Sequence, residues 1–240
     1  MRLRRRLVKL AERSGLHVYR TLPHGVDALA DIARLGVLGR AEKIVDVGAN
    51  VGDTVARFAA AFPEARIFAI EPAPDTYARL EQRYRDDPRV ITKCVAFSSE
   101  AGTGQLDLSV PSTFRRLGNV GTTVELTTLD TFCTNNEIGR IDLLKIDTEG
   151  HDLEVITGGS LVLTRTTIVQ TEVSMNPENL RHVPVSRMKD LLEASGFRLL
   201  GVYDQFTQPG ALHLRRADAV FVRPDAIAGS TTRVRTATSP

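Results

Sequence analysis

Glycines, carboxylates and one histidine recur along this chain at the spacings a small-molecule site requires. The first group is Val45-Asp46-Val47-Gly48-Ala49-Asn50-Val51-Gly52-Asp53-Thr54, after an apolar run and at the opening of a helical stretch. Gly48 and Gly52 lack a Cβ, so the chain can turn sharply there and bring backbone N–H groups against a ligand at a helix N-terminus. A dinucleotide loop reads G-x-G-x-x-G. This one reads G-x-x-x-G, and Asp46 stands before the turn, where a carboxylate repels a diphosphate and suits a cationic group. Glu71 closes the next apolar run, Arg66-Ile67-Phe68-Ala69-Ile70, in the position from which an acid accepts hydrogen bonds from both hydroxyls of a ribose. The expected ligand is adenosine joined to something positively charged. S-adenosylmethionine, with a ribose, an amino group and a sulfonium, meets that description.

The second cluster is Ile141-Asp142-Leu143-Leu144-Lys145-Ile146-Asp147-Thr148-Glu149-Gly150-His151-Asp152-Leu153-Glu154. Ligands of open parallel sheets bind beyond the carboxyl ends of the strands, where Asp147 would sit. Helix capping accounts for Asp152, but it explains His151 poorly, because a histidine at a helix N-terminus is biased toward its neutral form. Glu172, inside the apolar strand Ile168 to Val173, needs a partner, because a carboxylate rarely occupies a buried strand alone.

The elements that must position these residues follow from periodicity. A leading helix is predicted over His24 to Leu38. The core is predicted as strand Lys43–Val47, helix Gly52–Phe62, strand Arg66–Ile70, helix Pro74–Arg85 and strand Val90–Ala96. Gly102 to Val110 and Thr122 to Leu126 alternate apolar and polar residues, as an inserted strand pair joined by a loop from Pro111 to Gly121. Strands Ile141–Ile146 and Thr167–Val173 flank a helix starting at Asp152. Helix Val185–Ala194 and strands Phe197–Tyr203 and Ala217–Val222 complete an α/β series built by crossover connections. Loops beyond strand ends form pockets. Arg115 and Arg116, with Asn176, Asn179, Arg181 and His182 in Ser174 to Val183, are therefore expected on the acceptor side.

The 240 residues suit one domain: a basic arm and leading helix over 1–40, the α/β domain over 41–223, and a disordered tail over 224–240 rich in Thr, Ser, Ala and Arg. With 31 basic and 29 acidic residues the formal charge is +2, which does not advertise a nucleic-acid partner. The arm, with Arg2, Arg4, Arg5, Arg6, Lys9 and Arg13 against Glu12, is read as a solvated leader, or as an amphipathic helix touching anionic lipid. Cys94 and Cys133, without ligand spacing, are read as reduced packing residues. A cytoplasmic location fits, and no apolar run approaches the roughly 20 residues that cross a bilayer. Oligomeric state cannot be read from the chain.

From about Lys43 to Val222 the sequence resembles the FkbM-type methyltransferases, class I S-adenosylmethionine enzymes acting mainly on hydroxyl oxygens. The resemblance rests on Asp46-Val47-Gly48-Ala49-Asn50-Val51-Gly52, on Ile70-Glu71-Pro72, on Thr128-Leu129-Asp130, and above all on Leu144-Lys145-Ile146-Asp147-Thr148-Glu149-Gly150-His151. Cys94 and Ser99 depart from the family's more usual Asn and Asp. The resemblance implies a Rossmann-like fold with a mostly parallel central sheet, an antiparallel last strand and helices on both faces. It implies that Asp46, Gly48, Asn50 and Glu71, in a loop completed by Gly52, hold the cofactor, and that Asp147 and Glu149 line the acceptor side.

The implied chemistry is methyl transfer to a hydroxyl of a small, sugar-like acceptor. His151 is the first candidate for the base, Asp147 the second, and Glu172 an orienter. A divalent metal held by Asp147, Glu149 and Glu172 is a subordinate alternative and is not expected. An NAD-dependent oxidoreductase and a non-catalytic adenosyl-binding module are the rival classes.

Overall fold

A computed structural model describes residues 21–34, 40–176, 181–207 and 213–225, with positions 13, 14, 19, 36, 38, 178, 179 and 210. The basic arm (apart from Arg13) and most of the tail lie outside the described residues. No helix among the described residues is long and apolar enough to cross a membrane.

After α1 (Ala28–Arg34) come β1 (Lys43–Val47), α2 (Asp53–Ala61), β2 (Arg66–Ile70), α3 (Pro74–Tyr84) and β3 (Val90–Lys93). The inserted region holds β4 (Ala96–Phe97), β5 (Gly102–Leu106), β6 (Leu117–Gly118) and β7 (Thr122–Thr127). Then follow α4 (Leu129–Asn135), β8 (Ile141–Ile146), α5 (Asp152–Thr157), α6 (Ser160–Leu163), β9 (Thr166–Ser174), α7 (Val185–Ala194), β10 (Arg198–Thr207) and β11 (Leu214–Val222). The main sheet runs β10-β11-β9-β8-β1-β2-β3, and a second runs β4-β7-β5-β6. Pairing from β9 through β3 is parallel, while β11 lies antiparallel to both neighbours. This is the Rossmann-like arrangement with an antiparallel last strand.

Both faces of the sheet are covered, which is why its central strands read as nearly unbroken apolar runs. Val45, Phe68, Ile70, Leu144 and Val169 pack against Phe132 of α4, Val155 of α5, Leu163 of α6, and Met188 and Leu192 of α7. Ile44, Ile67, Leu143 and Ile168 pack against Ile32 of α1, Val55 and Phe58 of α2, and Leu80 of α3. Each such side chain contributes roughly 1.5–3 kcal/mol by leaving water. Asp142, buried in β8, is satisfied by the backbone N–H groups of Glu42 (2.7 Å) and Lys43 (3.0 Å) and by the Arg140 guanidinium.

The predicted strand Val90–Ala96 is two strands. β3 ends at Lys93, and the chain crosses to the second sheet, where Ala96 pairs with Leu126 of β7. Periodicity does not register that step, because the joining residues Cys94 and Val95 carry no turn signal. The loop from Pro111 to Gly121 contains a 3-10 turn (Ser112–Phe114) and β6. The leading helix is described only over Ala28–Arg34, and β10 and β11 outrun their predicted lengths. Cys133 is buried as expected, whereas Cys94 is exposed at the turn after β3.

Candidate functional site

A cleft of about 660 Å³ opens over the carboxyl ends of β1, β2, β8 and β9, bounded by Phe97, Leu106 and Leu117 of the second sheet and by the 3-10 turn. Both signature strings flow into it because parallel strands deliver their following loops to one edge.

On the β1–β2 side the glycine loop closes on the sheet. The N–H groups of Gly48 and Ala49 both donate to the Ile70 carbonyl at 2.9 Å, and that of Gly52 donates to Ala49. Asn50, at φ +50°, donates its N–H to Glu71 Oε2 at 3.0 Å, and Ala73 donates to Glu71 Oε1 at 2.9 Å. The expectation that these N–H groups face the ligand is therefore corrected: four of them are consumed within the protein, and a loop with its donors turned inward is a poor diphosphate cradle. Glu71 is itself buried, which pushes its carboxyl up against the pull of the two N–H bonds.

The two glycines serve different ends. Gly48 sits at φ +83°, and a Cβ on it would lie 1.9 Å from the Asp147 carbonyl oxygen, so the close approach of the β1 and β8 loops requires glycine. Gly52, at φ +86°, is not among the cleft's lining; its Cβ would strike Tyr84 and Leu80, so it permits α2 to pack on α3. Asp46 does not line the cleft either. It is fully buried on the face of β1 that carries Ile44, with no hydrogen-bond partner for either carboxylate oxygen among the described residues. Burial pushes it to about 6, against the pull of Lys145. Its register partner Lys145 is buried too, and donates to Asp147 at 2.8 Å. Burial opposes the charge on Asp147, but the Lys145 ammonium outweighs it and holds that carboxyl below the ordinary range.

On the β8–β9 side the polar groups interlock. His182 Nε2 lies 2.7 Å from Glu172 Oε2 and 3.2 Å from Glu149 Oε2. Arg181 Nε donates to Glu149 at 2.6 Å, and Arg216 pairs with Glu172. Burial disfavours a charged imidazole, yet the two carboxylates prevail and raise His182 to about 9. Glu149 is held at φ +57°, and Gly150 backs so tightly on the Arg181 carbonyl that a Cβ would stand 2.0 Å from it.

His151 also lines the cleft. Its Nε2 meets the Ser98 hydroxyl at 3.0 Å, and its Nδ1 lies 3.6 Å from Glu154. Burial lowers its pKa despite Glu154, so the ring is neutral at neutral pH. Asp152 is no cap: it accepts from the Gly150 N–H at 3.2 Å and is raised to about 7 by burial, with Asp147 adding to the effect.

Of the residues expected on the acceptor side, Arg115, Arg116, Arg181 and His182 line the cleft, while Asn176 and Asn179 do not. Arg115 is anchored to Asp75 at 2.5 and 2.9 Å. The acids Asp147, Glu149 and Glu172 do not form one ligand set. Among the described residues, the trio whose ligand atoms lie within 4.8 Å of one another is Glu149, Glu172 and His182. A divalent cation fits it badly, because Arg181, Arg216 and a protonated imidazole already neutralise the two acids. Sequence reading missed Lys145, Ser98 and Arg216. The signal for Lys145 was a charged side chain in a strand otherwise buried; Arg216, at the partly exposed start of β11, carried none.

The sheet order, with its cleft at the carboxyl edge, is that of the class I methyltransferase fold. The family model for the methyltransferase FkbM domain matches residues 46–199, and the chain belongs to that family. It is 29% identical to the 2-O-methyltransferase NoeI of Sinorhizobium fredii, over 62% of this chain and 70% of that protein. It is 28% identical to the hexuronic acid methyltransferase AglP of Haloferax volcanii, over 62% of this chain and 65% of that protein. Among solved structures, magnesium protoporphyrin IX methyltransferase from Synechocystis superposes with a TM-score of 0.47 at 12% identity, over 79% of this chain and 75% of that one.

Proposed function

We propose that this protein transfers a methyl group from S-adenosylmethionine to a hydroxyl oxygen of a small, sugar-like acceptor, with His151 as the base. The observation that carries the reading is the contrast between two histidines in one cleft: His182 is clamped and charged, while His151 is neutral and able to take a proton. The relatives named for 2-O-methylation and for hexuronic acid methylation support an oxygen acceptor on a sugar.

The residues present fit the cofactor. Glu71 keeps unshared lone pairs at the cleft wall for the hydroxyls of a ribose, and the Asn50 side-chain oxygen is buried with no partner among the described residues. Asp46, behind the wall, acts through the field of a buried carboxylate rather than by contact. S-adenosylmethionine, when bound, supplies a methyl group on a positively charged sulfur that leaves as a neutral thioether. The protein's work is then to align the acceptor and exclude water. His151 accepts the hydroxyl proton as the oxygen attacks, Ser98 orients the ring, and Asp147, Glu149 and Glu172 shape the acceptor side.

The test is methyl transfer by His151→Ala, expected to fall about 10²- to 10⁴-fold while S-adenosylhomocysteine binding is unchanged. A variant as fast as wild type would remove His151 from the chemistry. A wild-type protein that binds the cofactor but methylates no sugar in a broad acceptor panel would favour a non-catalytic adenosyl-binding module.

A further inference from the structure

We propose that the β8–β9 half of the cleft is an oxyanion subsite, selecting a sugar that bears a carboxylate or phosphate through Arg181 and Arg116. The inference rests on the methyl-transfer reading above and names the acceptor's class.

Six arginines line the cleft, with Lys145, against five carboxylates. What decides the matter is which donors remain unused. Arg115 is consumed by Asp75 and by the carbonyls of Val110 and Leu108. Arg181 is not. Its Nε serves Glu149, its guanidinium lies 4.8 Å over the Phe114 ring, and its Nη2 is buried without a partner among the described residues. A buried guanidinium nitrogen lacking an acceptor has lost its water and gained nothing in return. A bound oxyanion would supply that acceptor through a charge-assisted bond.

The neighbouring acids do not cancel this demand. Arg181, Arg216 and His182 set three cations against Glu149 and Glu172, and Asp147, which also faces Arg216 and His182, is paired with Lys145, so these groups together keep one positive charge in excess. Gly150 packs closely on the Arg181 backbone, and the Glu149 bond with the Phe114 ring holds the guanidinium at the cleft. Arg116, two residues after Phe114 in the same loop, is exposed, lines the cleft, and makes no ion pair or hydrogen bond among the described residues. Phe114 is half exposed beside them. An apolar ring next to unspent guanidinium groups suits a sugar: its C–H face packs on the ring and its anionic substituent meets the arginines.

The test is calorimetry of the full chain saturated with S-adenosylhomocysteine, titrated with glucuronate, glucose 1-phosphate, glucose and magnesium chloride at low and high salt. Glucuronate, glucose 1-phosphate or both should bind at least about 10-fold tighter than glucose, with an advantage that shrinks in salt, and the stronger of the two identifies the anion as carboxylate or phosphate. Arg181→Met should reduce that preference about 10-fold or more, and Arg116→Ala about 3-fold. Arg116→Ala alters an exposed, unpaired side chain and keeps the test readable if Arg181→Met does not fold. Glucose binding as tightly as both anions, no binding of either anion at about 20 mM, a preference unmoved by the variants, or tight magnesium binding in their place would each overturn the subsite. If S-adenosylhomocysteine itself fails to bind, the methyl-transfer reading falls, and the same titrations without it judge the subsite by the same criteria.

Discussion

The two sides of the cleft are built by opposite means. The β1–β2 side is made of backbone: a glycine loop whose N–H groups are spent on Ile70, Ala49 and Glu71, with one buried acid at the wall. The β8–β9 side is made of side chains from four separate segments, Glu149, Glu172, Arg181 with His182, and Arg216, held by ion pairs. A site that holds one invariant ligand can be fixed by chain geometry, whereas a site that reads an acceptor is assembled from replaceable side chains.

The hardest blow to the first side is Gly48→Ala. The added Cβ would sit inside the Asp147 carbonyl contact at a positive φ, so the loop must move. S-adenosylhomocysteine affinity is expected to fall at least about 100-fold, read by calorimetry. An affinity within threefold of wild type would mean that the close approach of the two loops is dispensable.

The second side should instead reveal itself in stability. His182 is raised from 6.5 to about 9 by its two carboxylates. Because the folded value lies above the unfolded one, the stabilisation is complete below pH 6.5 and disappears as pH climbs through about 9. Its size is on the order of 3 kcal/mol at about 1.4 kcal/mol per pH unit. Denaturant unfolding of wild type should weaken over that window, and His182→Leu should lack the dependence. A flat wild-type profile would mean the imidazole is not charged.

Smaller effects refine the contrast. Glu71→Gln sets an amide nitrogen against an N–H donor and should weaken cofactor binding about 10- to 100-fold, by loss of charged hydrogen bonds. Unchanged binding would show that Glu71 only organises the loop. Ser98→Ala, which frees His151 Nε2, should slow turnover less than about 10-fold at constant cofactor affinity. A loss as large as that of His151→Ala would make Ser98 part of the chemistry.

Legibility in sequence followed the same division. The central strands and the helices between them were readable because burial on both faces writes itself as apolar runs, and Gly48 and Glu71 because one βα unit fixes their spacing. Asp46, expected to hold the cofactor, is fully buried and is not among the residues lining the cleft, although its register partner Lys145 is; a strand's period of two sets the face of a residue but not how deep along that face it lies. Gly52 stands outside the cleft's lining and backs on Tyr84 and Leu80, and a loop glycine and a helix-packing glycine look alike in sequence. The ion-pair cluster was only half visible. Arg181 and His182 could be suspected from a polar loop, but Arg216 reaches Glu172 through the antiparallel placement of β11 on β9, which only tertiary pairing reveals.

The account turns on which histidine reacts and which one holds. Single-turnover methyl transfer measured against pH should fall on the acid side with an apparent pKa below the ordinary histidine value of 6.5, and that limb should vanish in His151→Gln. A limb near pH 9, where His182 loses its proton, or an acid limb that survives in the variant, would contradict it.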